Sequence, residues 1–142
     1  MNICDIMTDR VITIREDEPV VAAARLLKRN NIGALPVSDE KGKLKGIVTD
    51  RDIVLRCVAT DSDPQDVKIG DIMSRNIVTA APFEDVQHAA ERMATNQVRR
   101  LPIVDNGVLV GIVALGDVAR RDEFEMEAAE ALSEISSNFR RK

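Results

Sequence analysis

The chain contains most of itself twice. Asp5-Ile6-Met7 returns as Asp71-Ile72-Met73, Val20 as Val86, Leu27 as Met93 and Pro36 as Pro102, each 66 residues on. Between Pro36 and Gly46 the offset falls to 65, because Asp39-Glu40-Lys41-Gly42-Lys43-Leu44-Lys45 is one residue longer than Asp105-Asn106-Gly107-Val108-Leu109-Val110. Whatever unit is built around Gly46-Ile47-Val48-Thr49-Asp50-Arg51-Asp52-Ile53 must be built again around Gly111-Ile112-Val113-Ala114-Leu115-Gly116-Asp117-Val118. The polar, proline-containing stretch Asp61-Ser62-Asp63-Pro64-Gln65-Asp66 separates the copies. It sets the expected organisation: repeat one over 1–63, repeat two over 64–121, and a tail over 122–142 with no counterpart in copy one.

Each copy opens with a short helical turn (residues 2–9, then 69–74) and a brief strand, Val11-Ile12-Thr13 or Ile77-Val78-Thr79. Glu16-Asp17-Glu18-Pro19 then places acids and a proline where a helix begins. Val20, Ala23, Ala24 and Leu27 form an apolar stripe of helical period, and Val86, Ala89, Ala90 and Met93 repeat it. Next come an edge-like strand opened by Pro36 or Pro102, a hairpin turn at Asp39–Gly42 or Asp105–Gly107, and a second strand ending at Val48 or Val113. A second helix follows, carrying Ile53, Val54, Cys57 and Val58 in copy one. In the tail, Phe124, Ala128, Leu132, Ile135 and Phe139 share one side of a helix with a Glu-rich opposite face; it reads as a docking or dimer-bracing helix or as a frayed end.

Composition narrows the function. With 24 acidic against 20 basic residues, three Phe and neither Tyr nor Trp, the chain has no basic footprint and no aromatic platform for nucleic acid. Cys4 and Cys57 stand alone, outside any zinc spacing, and are expected to be reduced and partly buried. Apolar runs reach about five residues where a membrane helix needs roughly 20, and no leader is evident, so a soluble cytoplasmic protein is expected. His88, the single histidine, reads as structural, Met7 and Met73 as gap-fillers, and Asp5 and Asp71 as caps of their helical turns or solvated acids.

The duplicated order of helical turn, strand, helix, Leu-Pro-Val-x-Asp hairpin, Gly-Ile-Val-Thr-x-x-Asp and helix resembles a tandem pair of CBS domains over about residues 1–121. The strings that carry it are DIMT, ALPVSDEKGKLKGIVTDRDI, DIMS and RRLPIVDNGVLVGIVALGD. The resemblance implies an α/β (α+β) fold of two pseudo-symmetric β-α-β-β-α repeats packed sheet to sheet, commonly dimeric, whose clefts hold AMP, ADP, ATP, S-adenosylmethionine or dinucleotides such as NAD. It places the ribose-binding acid at Asp52 and Asp117 and a phosphate- or ribose-contacting hydroxyl at Thr49, where copy two has Ala114. It puts the adenine slot at main-chain groups around Ile12-Thr13 and Ala34, with walls from Ile32, Pro36 and Val37; copy two offers Val78-Thr79, Arg100 and Pro102. Arg51, Arg99 and Arg100 become phosphate partners, since a guanidinium fork fits phosphate oxygens.

The chemistry is coherent: a carboxylate at a helix start accepts from vicinal ribose hydroxyls, while a threonine hydroxyl and backbone amides meet phosphate. The same Thr-x-x-Asp is also a capping arrangement, and Arg99-Arg100 also reads as a solvated pair. The expectation is a stand-alone module that binds an adenine nucleotide, forms a homodimer and signals to an unknown downstream protein, without nucleic acid, membrane, metal or required cofactor. It is not expected to be an enzyme, because no nucleophile is paired with a base. A ligand-free assembly scaffold is the other reading. The Thr49/Ala114 difference predicts that AMP fills the Asp52 site first and that a longer phosphate tail narrows or reverses the gap.

Overall fold

In the computed structural model, which describes residues 1–121 and 124–140 (138–140 by backbone alone), each folding unit takes most of one copy and a short segment of the other. One unit is Ile12–Ile77, called here the Asp52 unit; the other joins Met1–Val11 to Val78–Lys142 and is called the Asp117 unit.

In the Asp52 unit, helix α1 (Val20–Asn30) follows Pro19 at its N-cap. It buries Val20, Ala23 and Leu27 of the predicted stripe, while Ala24 is half-buried at the edge of that core. It stops at Asn31, which takes the left-handed conformation (φ 53°) that Asn tolerates better than most residues. Strands β1 (Ala34–Ser38) and β2 (Leu44–Thr49) pair antiparallel, Pro36 opposite Ile47. Helix α2 (Asp50–Ile53) continues into a π-helical turn, Val54–Val58. Ile53 and Cys57 are buried while Val54 and Val58 face solvent, so only half of the apolar set expected on this helix reaches the core. The widened turn rotates the chain away from the spacing a regular helix would give. Helix α3 (Ile69–Ile72) then supplies Ile69 and Ile72 to the same core as α1.

The Asp117 unit repeats this with α4 (Val86–Asn96), β3 (Arg100–Asp105), β4 (Val108–Ala114) and α5 (Leu115–Ala119). Its hairpin turns on Asn106 and Gly107, both at positive φ (52° and 84°), the pairing that Asn-Gly favours. Helix α6 (Glu125–Arg140) packs on α4 and α5. Its buried face carries Ala128 and Ala131, with Phe124 and Ile135 against the same core. Leu132, predicted in that stripe, is 43% exposed; Ala131 takes its place. The Phe139 side chain, Arg141 and Lys142 lie outside the described residues.

The short segments are exchanged between copies by equivalent bonds. Ile3 N–H donates to Glu84 O (2.9 Å), and Thr8 and Ile112 exchange both backbone bonds (2.8 and 2.9 Å). In the other unit Ile69 N–H donates to Glu18 O (2.9 Å), and Ser74 and Ile47 exchange both (2.9 Å each). Ile3 and Ile69 are wholly buried. Met73 and Met7 lie over Gly46 and Gly111: a Cβ on Gly46 would stand 2.8 Å from both Met73 Sδ and Ser74 O, so only glycine lets the segment approach. Asp5 and Asp71 cap these turns, accepting from Asn2 N–H (2.9 Å) and Lys68 N–H (3.3 Å).

The first strand of each copy, expected at 11–13 and 77–79, is a single parallel bridge further on, Ile14 with Val37 and Ala80 with Ile103. Ile14 N–H donates to Pro36 O and Ser38 N–H to Ile14 O; one step earlier the ladder would need an N–H from residue 36. Proline has none, so pairing stops. Pro102 ends the Ala80 ladder in the same way.

Candidate functional site

At the β2–α2 junction Thr49 and Asp52 form a reciprocal capping box. Asp52 N–H donates to Thr49 Oγ1 (3.1 Å) and Thr49 N–H to Asp52 Oδ2 (3.0 Å). Asp52 is buried, with 9% of its surface exposed. Its Oδ1 faces Arg56 Nη1 at 3.5 Å, and that nitrogen also donates to Ile72 O (2.8 Å). The aspartate thus has a structural partner, Arg56, beyond its own helix start. At the β4–α5 junction Ala114 N–H donates to Asp117 Oδ2 (2.9 Å) and Arg120 Nη1 to Oδ1 (3.1 Å). Half of the box persists, and the hydroxyl half is missing. Each acid keeps lone-pair capacity for further donors.

The same prolines that end the first strands shape the main chain beside these junctions. Without an N–H at Pro36 or Pro102, the carbonyls of Ile12 and Val78 accept no hydrogen bond among the described residues. They are bare acceptors of the kind an exocyclic amine requires. Thr13 is exposed next to Ile12; Thr79 differs, because its carbonyl already accepts from Arg92 Nη1 (2.9 Å). Arg92 is held in turn by a two-pronged pair with Glu84 (2.8 and 3.0 Å), which keeps the Glu84 carboxyl below its usual range. Pro36 is buried and Val37 has no exposed surface, so Val37 belongs to the core and is no wall of a slot; Ile32 is half-buried against that core.

Charge separates the two sites. Ala34 lies opposite Thr49 and Arg100 opposite Ala114 in the β-ladders. Arg99 and Arg100 are exposed, and among the described residues neither side chain has a hydrogen bond or ion pair. In the Asp52 unit their places are taken by Gly33 and Ala34. A Cβ on Gly33 would lie 3.5 Å from the Asp50 carboxylate, an acid absent from the sequence-based site. The alignment carried the signal, since Asp50 matches Leu115. Arg51, beside it, is exposed. A cavity of about 580 Å³ opens in the Asp117 unit at Arg99, Arg100, Ala114 and Gly116, with α6 as its far wall.

Two strand-to-helix junctions, each with an aspartate bonded back to the last strand residue, thus repeat along the chain as a pair of equivalent candidate sites. The family model for the CBS domain matches residues 3–58 and 69–123, and the chain belongs to that family. The CBS domain-containing protein YhcV of Bacillus subtilis is 45% identical over 132 residues, 93% of each chain. The CBS domain pair of protein MJ0100, crystallised with 5-methylthioadenosine and S-adenosyl-L-methionine, matches with a TM-score of 0.74 at 36% identity, over 84% of this chain and 94% of that one. Hypoxic Response Protein I, crystallised with two coordinated zinc ions, matches with a TM-score of 0.78 at 34% identity, over 85% and 98%. Among the described residues here, no group of three or more His, Cys, Asp or Glu could hold a metal ion. No described helix is long and apolar enough to cross a membrane.

Proposed function

We propose that the protein is a non-catalytic regulatory module that binds adenosine-containing nucleotides of the AMP, ADP or ATP type at its Asp52 and Asp117 sites and signals their level to a partner protein. The observation that carries this reading is the repeated pairing of a capped aspartate with a bare carbonyl, at Asp52 with Ile12 and at Asp117 with Val78. The carboxylates suit ribose hydroxyls and the carbonyls an adenine amine. Its likeness to a CBS pair that holds two adenosyl compounds supports the ligand class, with S-adenosylmethionine and NAD as the other candidates. Cys4 and Cys57 are free thiols, in keeping with a reducing cytoplasm. Calorimetric titration of AMP, ADP, ATP, S-adenosylmethionine and NAD into the full chain tests the reading. Binding of at least one, weakened in Asp52→Asn or Asp117→Asn, is expected; no heat with any of them refutes it.

A second reading, an assembly scaffold, is favoured by Val54, Leu55 and Val58, which are 54%, 49% and 58% exposed on the π turn of the Asp52 unit. In the Asp117 unit the corresponding helices carry α6. We infer that a second copy covers the Asp52 unit's patch in a homodimer, with either reading of the sites. Light scattering should give twice the chain mass, and Leu55→Glu should halve it; a monomer at micromolar concentration, with and without nucleotide, refutes the dimer.

A further inference from the structure

Helix α6 has no counterpart in the first copy, and it walls a cavity beside the start of α5. One wall of the 580 Å³ cavity is the start of α5, with Leu115, Gly116 and Ala119; the opposite wall is Ala128, Ala129 and Leu132 of α6. Small residues keep the space open. A Cβ added at Gly116 would meet no atom within 4 Å. Ala128 and Ala131, at 4% and 1% exposure, pin α6 to the core, while Leu132 is left 43% exposed at the cavity. The charged residues of the lining are two arginines, Arg99 and Arg100, against one acid, Glu125. The volume lies within the range of about 300–1,000 Å³ usual for small-molecule sites. An apolar slot whose two arginines have no side-chain partner among the described residues fits a small anion that has an apolar, ring-bearing body.

We propose that this cavity is a ligand site of which α6 is a structural wall. It takes a nucleoside phosphate with its ring against Leu115, Ala128 and Leu132 and its phosphate on Arg99 and Arg100, and filling it holds α6 down on α5. The identity of the ring rests on the nucleotide reading above; the cavity, the cations and the α6 wall do not. Ligand occupancy is thereby converted into the docking state of a helix, which a partner protein can read.

The test is hydrogen–deuterium exchange over residues 124–137 of the full chain, with AMP, ATP, adenosine and inorganic tripolyphosphate, alongside calorimetry. AMP and ATP are expected to slow exchange of α6, because a ligand that binds only the docked state stabilises it. Adenosine, lacking the anion, should bind this site at least about tenfold more weakly, the worth of one charge-assisted bond. Tripolyphosphate, lacking the ring, should protect α6 less than ATP. Ala129→Phe, which fills the slot from an exposed position, and the pair Arg99→Ala with Arg100→Ala should each abolish the protection, and Glu125→Gln should strengthen it. Nucleotide binding that depends on Asp52 and Asp117 but leaves α6 exchange unchanged overturns this inference and spares the nucleotide reading. Protection of α6 by AMP that survives in the double variant Asp52→Asn with Asp117→Asn supports the cavity and counts against the ribose assignment. No binding and no protection with any probe overturns both.

Discussion

Restoring the missing hydroxyl, Ala114→Thr, should stabilise the protein. Ala114 has φ −106° and ψ 156°, close to the −119° and 165° of Thr49, so a threonine there needs no backbone change. Asp117 already accepts from the residue 114 N–H at 2.9 Å, while its own N–H, in the first turn of α5, lacks the side-chain acceptor that Asp52 N–H finds in Thr49. A Ser or Thr N-cap is worth about 0.5–2 kcal/mol over Ala, and a net hydrogen bond about 1 kcal/mol. Ala114→Thr should therefore add about 0.5–1 kcal/mol, and Thr49→Ala should remove about 0.5–2 kcal/mol. In urea, with a slope of about 2 kcal/mol/M, the gain is a midpoint shift of roughly 0.3–0.5 M at constant slope, read by far-UV circular dichroism without ligand. A double-mutant cycle with Asp117→Ala should show the threonine's gain shrinking once the reciprocal carboxylate is gone. A midpoint that is unchanged or lower at unchanged slope would refute the reasoning, because it would mean that the box adds nothing to the half already formed. With nucleotide present the same hydroxyl can still donate, so Ala114→Thr should also tighten AMP binding at the Asp117 site by about tenfold.

Ile69→Ala and Ile3→Ala, each removing a wholly buried side chain from an exchanged segment, should cost about 2–5 kcal/mol apiece in denaturant unfolding; a loss below 1 kcal/mol would show that the segments are not integral to the units. The Glu84–Arg92 pair makes stability pH-dependent. Because the Arg92 guanidinium holds the folded carboxyl below its ordinary value of 4.5, its contribution is present above about pH 4.5 and lost as pH falls through the lowered value, so Glu84→Gln should flatten this part of the stability–pH curve. Asp50→Asn should tighten AMP and ATP at the Asp52 site, since it removes a carboxylate beside Gly33 where a phosphate would come; unchanged affinity in calorimetry would place the phosphate elsewhere.

Local pattern made much of this legible. The stripes of α1 and α4, the Asn-Gly turn at residues 106–107 and the Thr-x-x-Asp junctions follow from spacing and side-chain type within a dozen residues. The exchange of the short segments does not. Ile3 and Ile69 are the same residue type and each is followed two residues on by Asp-Ile-Met, so either assignment satisfies the pattern, and only long-range packing distinguishes them. The shortened first strands are legible only in part: Pro36 and Pro102 lack an N–H, but the local pattern does not identify the carbonyl that would need it. The capping box was one of two readings of Thr49 and Asp52, and it is formed here. Asp50 and Arg56 escaped because a charge in a helical first turn is ordinarily solvated, and their importance comes from Gly33 and Ile72, which are distant in sequence.

The exchanged segments mean that the polypeptide passes from one unit to the other twice, at residues 11–12 and again at 77–78. Cleavage at the polar stretch 61–66 would therefore not yield two self-sufficient pieces. The fragment 1–63 would carry away Ile3, which fills the other unit's core, and would leave behind Ile69, which fills its own. Each fragment would expose an apolar seat until it met the other or a further copy of itself. A single-copy gene product of this design would face the same difficulty, and duplication within one chain removes it by supplying both fillers at high local concentration.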